Sequence, residues 1–265
     1  MKHIQDTPWW ICDPEETNYC TYSDTDSIYM HAEPLLRSKF GDDFDKMTAG
    51  EKDDELETIA KQYESIVTNS YDKLAKDVFR SDEKNFKHRL EMKTECVIRS
   101  AYFRATRRYA QWITKQEGIV NETLDVKGLE FKKANFPPVL GRFFKKALVD
   151  VLKGATQAEI DDRLKVFKKE ILDGSIPLTE LGNPQAVKKL KKYTARKARA
   201  GEMFSVMEKG APAAVKATMV YNDLLKFWGL HKNHASIAQG DKVKWIYLKQ
   251  NPYQVDAIAF LEWDL

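Results

Sequence analysis

Cysteine is scarce in this chain, and nothing in its placement does chemistry. Three residues, Cys12, Cys20 and Cys96, form no CxxC pair and no zinc spacing. An odd, sparse count fits a reducing compartment. No apolar run is long enough to span a bilayer, and the N-terminus lacks a signal-peptide pattern. A cytoplasmic protein with no membrane partner is expected. Neither GxxxxGKS/T nor GxGxxG occurs, which argues against a phosphotransferase built on a nucleotide-cradling loop. The spacing of oxygen ligands in an EF-hand is also missing, which argues against a calcium turn. His231 and His234 share a three-residue spacing without a partner cysteine or carboxylate motif, and read as structural or surface residues. There is no internal repeat and no low-complexity tract.

What is present is enough for a folded core. The chain has 265 residues, sufficient for one or two domains, and 43% of them are hydrophobic. The net charge of +3 is small, but its distribution is uneven. The stretch from Asp42 to Glu57 is acidic. Between Gly182 and Gly201 there is no acidic residue, while Lys188, Lys189, Lys191, Lys192, Arg196, Lys197 and Arg199 crowd together. Such a segment on a nearly neutral protein points to a polyanion face, with a solvated helix as the plain alternative.

Periodicity divides the chain near residue 136. Residues 1–19, with Pro8, Trp9 and Trp10, lead into a hairpin over 20–33. Apolar residues from Leu56 through Ile59, Tyr63, Ile66 and Val67 to Val78 predict a long helix over 50–79, charged outside and lying against a sheet. Ser81-Asp82-Glu83 breaks it. Strands follow over 88–103 and 107–116, with Gly118 and Asn121 making the next turn. Pro137-Pro138 marks a boundary. Beyond it come helices over 138–153 and 156–173, a basic helix or helical loop over 184–200, a helix over 212–228, and two short strands between Lys242 and Trp263. The tryptophans read as core and interface residues. The class expected is α+β: a partial antiparallel sheet with a long packing helix in 1–136, and a mainly α-helical part in 137–265.

The most informative segment is Tyr22-Ser23-Asp24-Thr25-Asp26-Ser27, read as strand, tight turn, strand. The turn puts Asp24 and Asp26 at a hairpin tip, pointing the same way. Two ionised carboxylates held so close disfavour each other's charge, and a divalent cation between them relieves this. Oxygen-only ligands favour Mg²⁺ or Mn²⁺ over zinc. A solvated Asp-rich turn, in which Asp and Ser bond their own backbone, is the alternative.

This string, with Ile28 and Tyr29 continuing the strand, resembles the Tyr-Gly-Asp-Thr-Asp-Ser motif of family B DNA polymerases; Ser23 stands where glycine is common. Thr106-Arg107-Arg108-Tyr109 is similar to the family's Lys-Lys-Arg-Tyr element, with threonine in place of the first lysine. Lys127-Gly128-Leu129-Glu130, followed by Lys132, Lys133 and Pro137-Pro138, is similar to the element where palm gives way to thumb. The resemblance runs from residue 20 to about 250 and is closest to the tailed-phage replicative type.

The resemblance implies palm for residues 1–136 and thumb for 137–265. It implies template-directed deoxynucleotidyl transfer, in which a primer 3′ hydroxyl attacks the α-phosphate of a deoxynucleoside triphosphate and pyrophosphate leaves. Two Mg²⁺ ions would serve, with Mn²⁺ a possible substitute. Asp26 would ligate metal directly, Asp24 would share or tune it, and Ser23, Thr25 and Ser27 would hold the turn. The family carries a glutamate near the metal on a neighbouring strand, a role that falls to Glu95; an ordinary solvent-facing glutamate is the alternative. Arg107 and Tyr109, on one strand face, would grip the primer, with Arg108 on the other face. Gly128 would let backbone approach the duplex, and Lys127, Lys132 and Lys133 would meet phosphates. An edge strand protected by lysine is the plain reading of that segment. Lys188, Lys189, Lys191, Lys192 and Arg196 would line the thumb face. The chain has no Asp-x-x-Ser-Leu-Tyr-Pro and no Lys-x-x-x-Asn-Ser-x-Tyr-Gly. An upstream fragment bearing the exonuclease, first palm motif and fingers is therefore the expected partner, beside primer-template DNA; the host would be bacterial. A non-catalytic DNA-binding remnant is the competing expectation.

Overall fold

The computed structural model describes residues 19–79 and 89–261. Pro8, Trp9, Trp10, Cys12, the break at Ser81-Asp82-Glu83, and Trp263 lie outside the described residues. The chain is α+β, with every sheet antiparallel. It forms two compact units that divide between Lys127 and Gly128, ahead of the Pro137-Pro138 break expected from sequence. Among the described residues, no helix is long and apolar enough to cross a membrane.

The first unit opens with the hairpin of β1 (Cys20–Asp24) and β2 (Ser27–Met30). Asp24 pairs with Ser27, so Thr25 and Asp26 are the whole turn. Thr25 has φ 55°, the left-handed backbone that a two-residue hairpin turn requires at its first position. Helix α1 (Glu33–Phe40), begun by a proline in its first turn, and a 3-10 segment (Gly41–Lys46) lead to α2 (Ala49–Phe79). A three-stranded sheet follows: β3 (Cys96–Ala105), β4 (Arg108–Gln116) and β5 (Ile119–Lys127), with β4 central.

Tight turns set this sheet's register. Ala105 pairs with Arg108 and Gln116 with Ile119, so each connection has two residues, and Arg107, Glu117 and Gly118 carry positive φ. Gly118 is a turn residue as expected, but Asn121 lies inside β5, a strand that the polar sequence Asn121-Glu122-Thr123 disguises. The strand expected over 88–103 begins only at Cys96. Before it, the Met92 and Thr94 amides donate to the Thr68 hydroxyl and the Glu64 carboxylate of α2 instead of to a neighbouring strand.

Helix α2 meets the sheet partly through charge. Asp53, 5% exposed, accepts from Arg99 of β3 at 2.7 Å. Lys115 of β4, itself buried, is bound by Asp54 and Glu57. The hydrogen bonds it donates to both carboxylates hold the Lys115 ammonium above its ordinary pKa. Part of the acidic stretch 42–57 is thus a contact surface, each buried charge having its counter-ion.

The second unit contains α3 (Pro138–Leu152), α4 (Gln157–Leu172), a short α5 (Leu178–Leu181) and α6 (Ala213–Phe227). Pro138 starts α3, where its missing N–H costs nothing, and Thr156 with Glu159 forms a capping box on α4. The sheet has the order β10 (Ala257–Phe260), β9 (Lys242–Tyr247), β6 (Asn183–Ala186), and a ribbon joins β7 (Thr194–Arg196) to β8 (Val206–Met207). The core clusters Ala214, Ala217, Tyr221 and Leu225 of α6 with Val187, Ile237, Val243, Trp245, Ala257, Ala259 and Leu261.

The basic segment 184–200 is not a helix. It runs as β6, a loop, a 3-10 turn (Lys191–Tyr193) and β7. Pairing overrides the helix propensity of its lysines and alanines: Asn183 to Ala186 lie opposite Trp245 to Lys242, with Pro184 on an edge strand, where a missing N–H is tolerated. Gly182 precedes them because there is no room for more. A Cβ there would stand 2.7 Å from both Lys244 Cβ and Phe260 Cζ.

Candidate metal and nucleic-acid site

The hairpin in the first unit is anchored by aromatic packing. Tyr22 and Tyr29 on the hairpin meet Phe103 and Tyr109 of the β3–β4 ribbon, with ring centroids 5.4–5.7 Å apart. The Tyr29 and Tyr109 hydroxyls lie 3.0 Å apart. Burial, then the bond to Tyr109, raises the Tyr29 phenol well above its ordinary pKa. Tyr109 is 9% exposed, so its ring packs inside this unit instead of lying open for a sugar or base. Sequence reasoning missed Phe103, Tyr22 and Tyr29 in this role, although alternate-residue aromatics on facing strands are its usual signature.

Asp24, at the end of β1, is held on all sides. Arg107 donates from Nε to Oδ2 at 3.1 Å and from Nη2 to Oδ1 at 3.3 Å. Thr25 Oγ1 donates at 3.1 Å and the Tyr22 hydroxyl at 3.4 Å. Arg107, followed by Thr25, holds the Asp24 carboxyl below its usual pKa. Ser27 Oγ donates to the Asp24 carbonyl oxygen at 3.1 Å, across the turn. Ser23 pairs with Ile28 in the ladder, in extended backbone that needs no glycine. Asp26 is exposed, and its carboxylate makes no hydrogen bond or ion pair among the described residues.

Arg107 is not on a strand face with Tyr109. It sits in the β3–β4 turn with φ 59°, and its N–H donates to the Tyr22 hydroxyl at 3.0 Å. Arg108 opens β4 and is partly buried. Glu95 is exposed and lies just before β3, whose other end adjoins Arg107. Ten residues of strand, roughly 30 Å at about 3.3 Å each, run between those two ends. Glu95 instead accepts the Glu117 amide through its carbonyl, at 2.9 Å. Among the described residues no three acidic, cysteine or histidine side chains gather as a metal cage. Lys127 ends β5, exposed, with Asp125 at 3.7 Å.

In the second unit, Gly128 has φ 61°, a backbone that glycine adopts without strain. Lys132, in a 3-10 turn (Glu130–Lys132), and Lys133 are exposed. The four lysines Lys188, Lys189, Lys191 and Lys192 stand on the exposed loop after β6, with no ion pair among the described residues. Lys192 Nζ lies 5.7 Å from the Tyr193 ring centroid. Arg196 differs. Glu202, just past the acid-free stretch, takes it with two bonds of 2.6 and 3.1 Å. That partner neutralises Arg196, while the four lysines stay exposed without a counter-ion among the described residues. His231, in a 3-10 turn (Leu230–Lys232), and His234 are exposed or partly so.

No protein-family model matches the chain, and no curated protein matches it either.

Proposed function

We propose that the chain is a palm-and-thumb fragment of a family B-type DNA polymerase, working in template-directed deoxynucleotidyl transfer. The observation that carries the reading is the two-residue turn that sets Asp24 and Asp26 at a hairpin tip, braced from below by four aromatic rings. The donor set fits magnesium, which binds through one or two carboxylates and fills its remaining positions with water and substrate phosphates. Mn²⁺ takes the same ligands. When bound, two such ions would activate the primer hydroxyl and stabilise the leaving oxygens.

The chain's own residues do the rest. Asp26, exposed and unengaged, is the direct metal ligand in this reading, and Asp24 sets the field beside it. Arg107, Lys127, Lys132 and Lys133 meet backbone phosphates, which position a duplex without reading its sequence. Lys188, Lys189, Lys191 and Lys192, in the second unit, offer the same kind of sequence-blind contact. Tyr109 acts as the hairpin's anchor and not as a primer contact. Glu95 is left without a role at the metal. A second carboxylate motif must come from the upstream fragment, which would also bring the fingers, the exonuclease and the deoxynucleoside triphosphate site.

A second reading is favoured by one observation: Asp24 is already paired with Arg107, and no third ligand stands nearby among the described residues. On that reading the chain is a non-catalytic DNA-binding module that keeps a polymerase scaffold. Mg²⁺-dependent primer extension, with the chain alone and with a polypeptide carrying the missing motifs, separates the two.

A further inference from the structure

The two carboxylates at the hairpin tip are in unlike states. Both Asp24 oxygens are engaged by Arg107, with Thr25 and Tyr22 adding to the grip. The Asp26 carboxylate, on the second residue of the turn, is engaged by nothing among the described residues. A divalent cation that takes carboxylate oxygens needs the lone pairs on which Arg107 sits. Its charge is also repelled by the guanidinium.

We propose that Arg107 is a gate on the hairpin. It pairs with Asp24 in the cation-free protein and gives up that carboxylate, turning to a phosphate oxygen, when the Asp24–Asp26 pair holds Mg²⁺. The inference rests on the reading of the hairpin as a nucleotidyl-transfer site.

The geometry separates what holds Arg107 from what Arg107 holds. Its backbone is fixed by the tight β3–β4 turn and by the bond from its N–H to the Tyr22 hydroxyl, at 3.0 Å. Its side chain is 73% exposed and reaches Asp24 from solvent. The guanidinium can therefore leave with the turn intact. Arg99 makes the contrast, since its partner Asp53 is almost wholly buried and that pair joins helix to sheet. A guanidinium fork matches carboxylate and phosphate alike, so the two anions are alternatives for one group. The 3.1 and 3.3 Å separations are longer than the best charge-assisted bonds, which suits a pair that must open.

The test is Mn²⁺ binding to the full-length chain, with free Mn²⁺ read by electron paramagnetic resonance, so that no catalysis is needed. Arg107→Gln removes the competing cation and should tighten Mn²⁺ binding, by up to about fivefold for an exposed pair. Arg107→Gly should do the same and guards against misfolding, because φ 59° suits glycine. Adding a short DNA duplex should narrow the gap between wild type and variants, as phosphate draws Arg107 away. Unchanged or weaker binding in both variants, with Asp26→Asn still abolishing it, would overturn the gate and leave the site standing. Binding indifferent to Asp26→Asn would overturn the site, and the gate with it.

Discussion

The hairpin's orientation depends on a pair of phenols, and a double-mutant cycle measures that dependence. Tyr29 comes from β2 and Tyr109 from β4, and their hydroxyls are 3.0 Å apart beneath the tip. Tyr109→Phe deletes one hydrogen bond and leaves the half-buried Tyr29 hydroxyl to the Gln111 side chain, its other partner. A net bond is worth about 1 kcal/mol, so a loss of about that size is expected. Tyr29→Phe should cost a similar amount. The double variant keeps all four rings and removes both hydroxyls together, so it should cost less than the sum, with a coupling of about 1 kcal/mol. Urea unfolding followed by tyrosine-sensitive near-ultraviolet circular dichroism gives the four stabilities. The cycle also has a pH signature. The folded Tyr29 pKa is raised, chiefly by burial, so its contribution is fully present below the unfolded phenol value of about 10 and is lost as pH rises beyond it. Tyr29→Phe should flatten that alkaline loss. Additivity within about 0.3 kcal/mol would refute the argument, because it would mean the two hydroxyls do not act together.

Other consequences follow from single features of the structure. Gly182→Ala puts a Cβ 2.7 Å from Lys244 Cβ and Phe260 Cζ, and should cost about 1–3 kcal/mol in thermal or urea unfolding. Full stability in that variant would mean β6 can shift away from β9. Burial, with Glu95 and Asp125 adding, pushes the Cys96 thiol up to about 11, so at pH 8 an alkylating reagent should label Cys96 far more slowly in the native protein than in urea. Neutralising Lys188, Lys189, Lys191 and Lys192 should weaken primer-template binding and reduce the log-log salt slope by roughly 0.9 for each phosphate that is no longer neutralised. An unchanged slope would remove that loop from the DNA face.

Much of the fold was legible because its signals are local. The helix over Ala49–Phe79 shows its apolar period, and Pro137-Pro138 and Gly118 punctuate where the backbone demands it. What escaped depends on partners distant in sequence. The strand Ile119–Lys127 reads as polar because it is a sheet edge, and Asn183–Ala186 becomes a strand because β9 lies beside it. At the site, the spacing of Asp24 and Asp26 was readable in the turn itself. Their different environments were not, since Arg107 is brought to Asp24 by the turn of another sheet and Glu202 reaches back to Arg196 from beyond the basic segment. Tyr109 stands out in the sequence as the aromatic half of a basic-aromatic pair, but packing gives it another role: a ring facing Tyr29 and Phe103 braces the hairpin.

The most direct test of the central claim is Mg²⁺-dependent primer extension by this chain, alone and mixed with a polypeptide that supplies the fingers and the first palm carboxylate motif. The account predicts extension only in the mixture, abolished by Asp26→Ala while duplex binding survives. Extension that persists in Asp26→Ala, or none in the mixture with duplex binding retained, would contradict it.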